Sequence, residues 1–156
     1  MVDRYNNKKV ISICIPVKNE SENINSIYEA IKKIFLNDLK NYEYEIIFTD
    51  NLSTDNSFEI VKNISNNDNK VKGYQFSKNI GKERSLFYAF KNATGAVVIQ
   101  IDCDFEDPPE LLPEFVKKWE EGYEIVHAVR DKRKNDSYSF LRFIFYRLIG
   151  LISEDN

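Results

Sequence analysis

The chain has 156 residues, 42% of them hydrophobic and 30% charged, with a formal net charge of −3 at pH 7. These values predict one soluble globular domain with its own core, and they exclude a fibrous or wholly disordered chain and give no reason to expect a nucleic-acid partner. The two cysteines imply no disulfide framework, and no apolar run is long enough to cross a bilayer by itself.

The first third of the chain predicts a strand followed by a helix. Residues 1–9 are a polar lead-in, and the β-branched run at residues 10–15 (VISICI) predicts a buried strand that ends at Pro16. Residues 19–22 have the spacing of a capping box. Apolar residues recur at helical intervals over residues 24–35, which predicts an amphipathic helix.

The same alternation continues through the middle of the chain. Residues 44–49 (YEIIFT) predict a second strand, and the polar turn at residues 50–55 leads into a helix over about 56–65. Residues 71–76 predict a third strand, and residues 81–92 a third helix. The spacing therefore repeats one strand and one helix at a time.

A fourth strand starts at Gly95 and ends in an acidic loop. Beyond the loop, apolar residues at helical spacing from Leu112 to Trp119 predict another helix, which residues 107–110 (DPPE) should start with Asp107 as its N-cap. Residues 124–129 (EIVHAV) predict a fifth strand, with His127 as a core residue rather than a ligand.

This pattern predicts an α/β fold with a mostly parallel, Rossmann-like sheet and helices on both faces. In such sheets ligands bind at the carboxyl ends of the strands, near a switch in strand order. The polar segments after strands one, two and four should therefore lie along one rim and form the site.

The acidic loop carries three carboxylates, Asp102, Asp104 and Glu106. Residues i and i+2 of an extended segment point the same way, so Asp102 and Asp104 should converge, and Glu106 could join them. Three oxygen ligands suit Mg²⁺ or Mn²⁺ shared with the phosphates of a substrate. The alternative is an ordinary polar turn.

The composition changes after Val129. Residues 130–152 hold six basic and two acidic side chains, and residues 140–152 (FLRFIFYRLIGLI) are apolar on almost every side of a helix. This segment could lie on an anionic membrane surface or pack against protein. We therefore assign residues 10–137 to the α/β domain and residues 138–156 to a separate basic and apolar segment.

Four segments resemble motifs of one known family. They are residues 15–20 (IPVKNE), 50–55 (DNLSTD), 77–82 (SKNIGK) and 101–110 (IDCDFEDPPE). In this order and spacing they resemble the nucleotide-sugar-binding half of inverting family 2 glycosyltransferases of the GT-A fold, especially the branch that uses polyprenyl-phosphate acceptors. The resemblance extends over about residues 10–130.

The resemblance implies roles for individual residues. Asp50 would accept a hydrogen bond from the base, which favours a UDP-type donor, and Asp102 would face the ribose and phosphates. Asp104, with Glu106, would hold the Mg²⁺ or Mn²⁺ that bridges the diphosphate. The full set of donor contacts implied is Pro16, Val17, Asn19, Glu20, Asp50, Asn79, Lys82, Asp102, Cys103 and Arg130, and the metal ligands are Asp102, Asp104 and Glu106.

The sequence departs from the family pattern at four positions. Asn51 and Leu52 replace the usual second acid and glycine of the first turn, so that turn cannot rely on glycine. Glu106 replaces a glutamine and adds negative charge, and Lys78 replaces an arginine.

The resemblance also implies an acceptor and a cellular place. The acceptor would be a polyprenyl phosphate or, alternatively, a glycan, and the enzyme would act in the cytoplasm at the inner face of the membrane. The catalytic base would lie beyond Asn156, so these 156 residues alone should be inactive. A receiver-like signalling module that binds Mg²⁺ is a further alternative, although it needs acids after its first strand, where Lys18 stands.

Overall fold

A computed structural model of the chain describes residues 9–129. The predicted alternation of strands and helices is present from the first strand to the fourth helix. The elements are β1 (Lys9–Val17), α1 (Ile24–Asn37), β2 (Tyr42–Asp50), α2 (Ser57–Asn67), β3 (Val71–Gln75), α3 (Lys82–Asn92), β4 (Val97–Gln100), a 3-10 turn (Pro109–Leu111) and α4 (Leu112–Glu120).

The four strands form one parallel sheet in the order β3-β2-β1-β4. The register places Val17 opposite Asp50 and Asp50 opposite Gln75, so β1, β2 and β3 end at the same level. The chain moves outward from β1 to β3 and then returns to the other side of β1 with β4. This reversal in strand order opens the rim beside β1 to a ligand, as the sequence predicts.

Hydrophobic side chains cover both faces of the sheet because successive strand residues point to opposite sides. On one face Ile11, Ile13 and Ile15 of β1 pack in the larger core with residues of α1, α2 and α4. On the other face Cys14 and Ile47 pack with Leu86 and Ala89 of α3 in a smaller core. Helices therefore lie on both faces, and the predicted α/β architecture is confirmed.

Pro16 does not end β1, contrary to the prediction. Proline has no N–H to donate, but at this position no neighbouring strand would accept a hydrogen bond from it. The carbonyl of Cys14 accepts a hydrogen bond from the N–H of Ile101, on the β4 side, whereas the carbonyl of Val17 accepts one from Asn51 after β2. Residue 16 therefore directs its nitrogen to the β4 side, where the pairing with β4 has already stopped at Cys14. Proline is tolerated at such an edge position.

The predicted fifth strand is wrong. Residues 124–129 form no strand, and the side chains of Ile125 and Val129 are 76% and 89% exposed. His127 is exposed as well, so its predicted core position is also wrong. The apolar, β-branched composition of residues 124–129 is a local signal, whereas a strand needs a partner, and among residues 9–129 nothing pairs with this segment.

Contacts within the chain divide it into two compact units, Met1–Val126 and His127–Asn156. The sheet and helices given above belong to the first. The expected boundary at residue 137, the segment at residues 138–156 and Arg130 all lie outside the described residues. Within residues 9–129, no helix is both long enough and apolar enough to cross a membrane.

The N-cap residues of two helices differ from the predicted ones. Helix α1 begins at Ile24 with Asn23 at its N-cap, so the capping box at residues 19–22 is wrong. Past the acidic loop, the 3-10 turn begins at Pro109 with Pro108 at the cap position, in place of Asp107. In the first case the side chain of Asn19 is engaged elsewhere, as described below.

A buried polar network joins all four strands at the end of the sheet far from the rim. The carboxylate of Glu45 on β2 accepts hydrogen bonds from Ser12 of β1, Lys72 of β3 and the N–H and hydroxyl of Thr94, just before β4. The hydroxyl of Ser12 also accepts a hydrogen bond from the N–H of Gly95 at 2.9 Å. Glu45 is only 6% exposed.

Glycine is required at position 95 because the chain passes too close to β1 for a side chain. A Cβ there would lie 2.7 Å from the nitrogen of Ser12 and 2.8 Å from the carbonyl oxygen of Val10. The close approach brings the N–H groups of Thr94 and Gly95 within reach of Glu45 and Ser12. The network thus fixes where β4 begins.

Candidate functional site

A cavity of about 420 Å³ opens at the rim of the sheet, beyond the carboxyl ends of β1, β2 and β4 and beside the start of α3. Its walls include the predicted segments after β1, β2 and β4 and also the segment between β3 and α3, which supplies Asn79 and Gly81. The lining residues are Pro16, Val17, Lys18, Glu20, Asn51, Asn79, Gly81, Lys82, Ser85, Asp102, Cys103 and Asp104.

The loops after β1 and β2 are tied together by hydrogen bonds. The side-chain oxygen of Asn19 accepts one from the N–H of Thr54 at 2.8 Å, and the N–H of Asn19 donates to the hydroxyl of Ser53 at 2.9 Å. The N–H of Glu20 donates to the hydroxyl of Ser57 at 2.8 Å. Asn19 therefore supports the pocket wall and does not line the cavity.

Asp55 holds the same two loops from the other side. Its carboxylate accepts hydrogen bonds from the N–H and hydroxyl of Ser57 and from the N–H of Ser21. The hydrogen bonds from Ser57, followed by those from Ser21, lower the pKa of Asp55 to about 2. The carboxylate thus stays ionised and keeps the wall in place throughout the neutral range.

Asp50 lies at the end of β2 but is fully buried and outside the residues that line the cavity. Its carboxylate accepts hydrogen bonds from the N–H and hydroxyl of Ser53 and, at 2.9 Å, from the side-chain amide of Gln75. These contacts close the turn after β2. The base contact implied by the resemblance therefore remains a prediction, and this conformation of Asp50 does not offer it.

Leu52 takes the left-handed backbone conformation that the family's glycine would favour, with φ of 61°. This conformation brings the Cβ of an L-residue close to its own backbone, which costs roughly 1–2 kcal/mol. The Leu52 side chain is 41% exposed, so little packing offsets that cost. The turn keeps its shape without glycine, at the expense of strain.

Glycine at position 52 is expected to make the protein more stable than alanine there by about 1 kcal/mol, because alanine keeps the strain and glycine relieves it. Urea unfolding of Leu52→Gly and Leu52→Ala measures the difference. The alanine variant is the control for the lost leucine side chain. Equal unfolding free energies would show that the backbone at this position is unstrained.

Asn51 connects the loop after β2 to the segment that starts α3. Its side-chain oxygen accepts a hydrogen bond from the N–H of Ile80 at 2.8 Å, and its amide donates to the side-chain oxygen of Asn79 at 2.8 Å. The same oxygen of Asn79 also accepts a hydrogen bond from the N–H of Gly81 at 3.0 Å. The wall on this side of the cavity is therefore fixed from β2.

The acidic loop brings Asp102 and Asp104 to the same cavity. One oxygen of Asp102 accepts a hydrogen bond from the ammonium of Lys82 at 2.7 Å, and this bond raises the pKa of Lys82. The other, Oδ1, is buried and has no hydrogen-bond partner within the described residues. Asp104 is exposed, and one of its oxygens accepts the N–H of Glu106 at 2.9 Å.

Asp102 and Asp104 suit a cation that is held jointly with a substrate phosphate better than one that is held by protein side chains alone. Among residues 9–129, no group of three or more His, Cys, Asp or Glu side chains is arranged to hold a metal. Glu106 is exposed and does not line the cavity, so its predicted place beside Asp102 and Asp104 is not observed. The unpartnered oxygen of Asp102 and the carboxylate of Asp104 fit Mg²⁺ or Mn²⁺, which usually take one or two carboxylates plus substrate phosphates.

The charged side chains that line the cavity are Lys18, Glu20, Lys82, Asp102 and Asp104, which sum to −1. A divalent cation would reverse this sign and attract an anionic ligand. Cys103 lies between the two acids and is buried, and burial together with Glu20, Asp104 and Asp102 raises its pKa to about 12. The thiol is therefore protonated and unsuited to act as a nucleophile.

Most of the predicted site residues come together. Pro16, Val17, Glu20, Asn79, Lys82, Asp102, Cys103 and Asp104 all line the cavity, whereas Asn19, Asp50 and Glu106 do not, and Arg130 lies outside the described residues. The prediction assigned no role to Lys18, Asn51, Gly81 or Ser85. Three of these four stand inside the recognised motif segments, so their nearness to strand ends was a usable signal.

The sequence of this chain matches a known protein family. The family model described as "Glycosyl transferase family 2" matches residues 12–154, which is most of the chain. The chain belongs to glycosyl transferase family 2. The resemblance in the four motif segments is thereby confirmed.

Relatives in family 2 are similar over most of this chain. Glycosyltransferase YkcC of Bacillus subtilis is 39% identical over 141 residues, which cover 89% of this chain and 43% of the relative. Bactoprenol glucosyl transferase of Shigella phage SfX is 37% identical over 126 residues, 81% of this chain and 41% of the relative. The chain thus spans less than half the length of these relatives.

Solved structures agree on the fold. The mannosyltransferase PcManGT from Pyrobaculum calidifontis, in complex with GDP-Man and Mn²⁺, matches with a TM-score of 0.64 at 24% identity, over 88% of this chain and 39% of that one. S. aureus TarS 1–349 in complex with UDP-GlcNAc matches with a TM-score of 0.59 at 21% identity, over 80% and 38%. At identities below 25%, these matches support the α/β fold of this chain and nothing further.

Proposed function

We propose that this chain is the donor-binding part of a metal-dependent, inverting glycosyltransferase. It would bind a UDP-type nucleotide sugar and serve the transfer of the sugar to a polyprenyl phosphate. The observation that carries the proposal is the convergence of Asp102, Asp104 and Lys82 on one strand-end cavity. Family membership and the names of relatives such as the bactoprenol glucosyl transferases support it.

The cavity has the parts that a nucleotide sugar needs. Pro16 and Val17 supply apolar surface for the base and ribose at the end of β1, and the side-chain amide of Asn79 supplies a polar group nearby. Lys82 supplies positive charge for the diphosphate, with its pKa raised by Asp102 so that it stays protonated. A cavity of about 420 Å³ lies within the usual range for small-ligand sites.

Asp102 and Asp104 would hold the Mg²⁺ or Mn²⁺. When bound, the cation supplies neutralisation of the charge that develops on the diphosphate leaving group. Lys82 would add to this by moving from Asp102 to a phosphate oxygen when the donor enters, since a phosphate oxygen is an anionic acceptor like the Asp102 carboxylate. The PcManGT complex contains Mn²⁺ together with GDP-Man, which supports this use of a cation in the fold.

The transfer step would be a single displacement. An oxygen of the acceptor phosphate forms a bond to C1 of the sugar as the bond from C1 to the diphosphate oxygen breaks, and UDP leaves with that electron pair. A phosphate acceptor is already ionised near neutral pH, so no strong base is needed. This chain's contribution would be to bind and orient the donor with its diphosphate held at the rim.

The proposed place of the reaction is the cytoplasmic face of a membrane. A polyprenyl phosphate presents its headgroup at the bilayer surface, and the basic, apolar sequence at residues 130–152 suits contact with anionic lipid. A glycan acceptor is the alternative. A receiver-like module is set aside, because family 2 membership explains the motifs and β1 is followed by Lys18 rather than by a pair of acids.

Calorimetric titration of the chain with UDP and with GDP, each with and without Mn²⁺, tests the donor proposal. We expect UDP to bind with Mn²⁺ present, to bind at least about 10-fold more weakly in EDTA, and to bind about 10-fold more tightly than GDP. Failure of both nucleotides to bind would refute the proposed function, and tighter binding of GDP would refute the uridine preference.

A second assay addresses the acceptor. The full-length protein, incubated with a radiolabelled UDP-sugar and vesicles containing undecaprenyl phosphate, should transfer label to the lipid phase. Vesicles without the lipid phosphate are the control. Transfer to a soluble glycan in place of the lipid would favour the alternative acceptor.

A further inference from the structure

The starting observation is that Asn51 replaces an acid of the family pattern and makes two hydrogen bonds across the cavity wall. Asn51 is 6% exposed and lines the cavity. It accepts from the N–H of Ile80 and donates to Asn79, each at 2.8 Å. Its own backbone N–H donates to the carbonyl of Val17 at 2.9 Å, which anchors it to the end of β1.

The chemistry of these contacts requires an amide at position 51. A carboxylate could accept from Ile80 but has no hydrogen to donate to the oxygen of Asn79. The side-chain oxygen of Asn79 accepts a hydrogen bond from the N–H of Gly81 at 3.0 Å. If the Asn79 side chain flipped to donate its amide to an aspartate at position 51, that oxygen would turn away from Gly81 and the bond would be lost. Only a group that both donates and accepts satisfies all three bonds at once.

The segment held in this way begins α3. Gly81 stands at the N-cap with φ of 88°, and the next residue, Lys82, reaches across the cavity to Asp102 at 2.7 Å. Residues 79–81 contain no helix or strand, so side-chain bonds from Asn51 and Asn79 are what fix their path. Asn51 therefore holds the segment that leads into Lys82, while the packing of Leu86 and Ala89 holds the rest of α3.

We propose that Asn51 is a positioning residue for the donor, which acts by fixing residues 79–81 so that Lys82 stands beside the diphosphate. This inference rests on the proposed function for its consequence, although the Asn51–Asn79 connection itself does not. The amide also keeps the lining charge at −1, whereas an aspartate would make it −2 and oppose an anionic donor. Asn51 thus serves geometry and charge together.

The experiment uses the full chain and two readouts. Amide hydrogen exchange of Ile80 and Gly81 reports the connection without any ligand, and calorimetry with UDP and Mn²⁺ reports its effect on the donor. In Asn51→Ala we expect exchange at both amides to rise roughly 5- to 10-fold, in line with the loss of one hydrogen bond. We expect the UDP Kd to rise by about 10-fold.

A double-mutant cycle separates positioning from independent contacts. Asn79→Ala alone should also raise the UDP Kd by about 10-fold, and the double variant Asn51→Ala/Asn79→Ala by no more than about 20-fold, because both remove one connection. Losses that multiply to about 100-fold would overturn the proposal. Asn66→Ala, an exposed asparagine on α2, is the matched control and should stay within about 2-fold.

The two readouts also separate this inference from the proposed function. Unchanged exchange at Ile80 and Gly81 in Asn51→Ala would overturn the inference whatever UDP does. A lower melting temperature with an unchanged UDP Kd would show a structural role only, and would overturn it too. If the unsubstituted chain fails to bind UDP, the proposed function fails, and the exchange data alone decide whether Asn51 fixes the segment.

Discussion

Asp104→Asn is expected to raise the Kd for UDP in the presence of Mn²⁺ by about 100-fold, because the variant removes one of two anionic ligands offered to the cation. Asp104 is exposed, and an amide oxygen can also accept the hydrogen bond that the N–H of Glu106 donates to it. The fold should therefore be unaffected. Calorimetry with UDP measures the change, and circular dichroism checks the fold.

Two controls make the result specific to the cation. In EDTA, Asp104→Asn and the unsubstituted chain should bind UDP equally weakly, since the carboxylate then has no metal to hold. Glu106→Gln should stay within about 2-fold, because Glu106 does not line the cavity. An unchanged Kd in Asp104→Asn would remove Asp104 from the site, and a large loss in Glu106→Gln would restore Glu106 as a ligand.

Glu45→Gln is expected to lower the free energy of unfolding by about 3 kcal/mol at pH 7. Burial raises the pKa of Glu45, but hydrogen bonds from Lys72, Ser12 and Thr94 outweigh burial and lower it from 4.5 to about 2. Each pKa unit corresponds to about 1.4 kcal/mol of preference for the ionised form in the folded state. A glutamine cannot accept all four hydrogen bonds that the carboxylate accepts.

The pH dependence has a definite sign. Because the folded-state pKa of Glu45 is depressed, its contribution is complete above about pH 4.5 and is lost as the pH falls toward 2. The difference between the unsubstituted chain and Glu45→Gln should therefore shrink from about 3 kcal/mol at pH 7 to about 1 kcal/mol near pH 3. Urea unfolding at a series of pH values measures this.

Glu43→Gln is the matched control on the same strand. Glu43 pairs with Lys70 at the surface, where both side chains are about 40% exposed (38% and 42%). Exposed ion pairs contribute little, so the loss should be below about 1 kcal/mol at every pH. Equal effects of the two substitutions would mean that the buried network around Glu45 does not stabilise the sheet.

The sequence predicts the first four strands and the helices between them well, because each signal is local. The β-branched run of β1, the helical spacing of α1 and the turn at residues 50–55 identify their elements without knowledge of any partner. Residues 124–129 show the limit of this reasoning. Their apolar, β-branched composition is similar to that of a real strand, but a strand also needs a neighbour with free backbone groups.

The site was predictable to the extent that it follows from strand ends. The motif segments place Asp102, Asp104, Lys82 and Asn79 at one rim, since parallel strands end together. The direction of each side chain was not predictable. Asp50 turns toward Ser53 and Gln75 and is buried, although its position at the end of β2 suggested an open carboxylate.

Hydrogen bonds between side chains that are distant in the sequence could not be predicted either. Asn19 is a residue type common at helix N-caps and has the spacing of one, yet it forms hydrogen bonds with Ser53 and Thr54, which are 34 and 35 residues away. Glu45 reads as a polar residue inside an apolar strand, and its partners Ser12, Lys72 and Thr94 come from three distant segments. No local pattern carries such long-range information.

The distance between Glu45 and the cavity has a consequence for how this protein can change. Asp50 follows Glu45 by five positions on β2, which is about 16 Å along the strand at roughly 3.3 Å per residue. The polar network that holds the strands and the loops that line the cavity are thus distinct parts of the molecule. Substitutions of cavity residues that make no hydrogen bond between loops should therefore cost little stability, which makes those positions the favourable targets for engineering the proposed donor site.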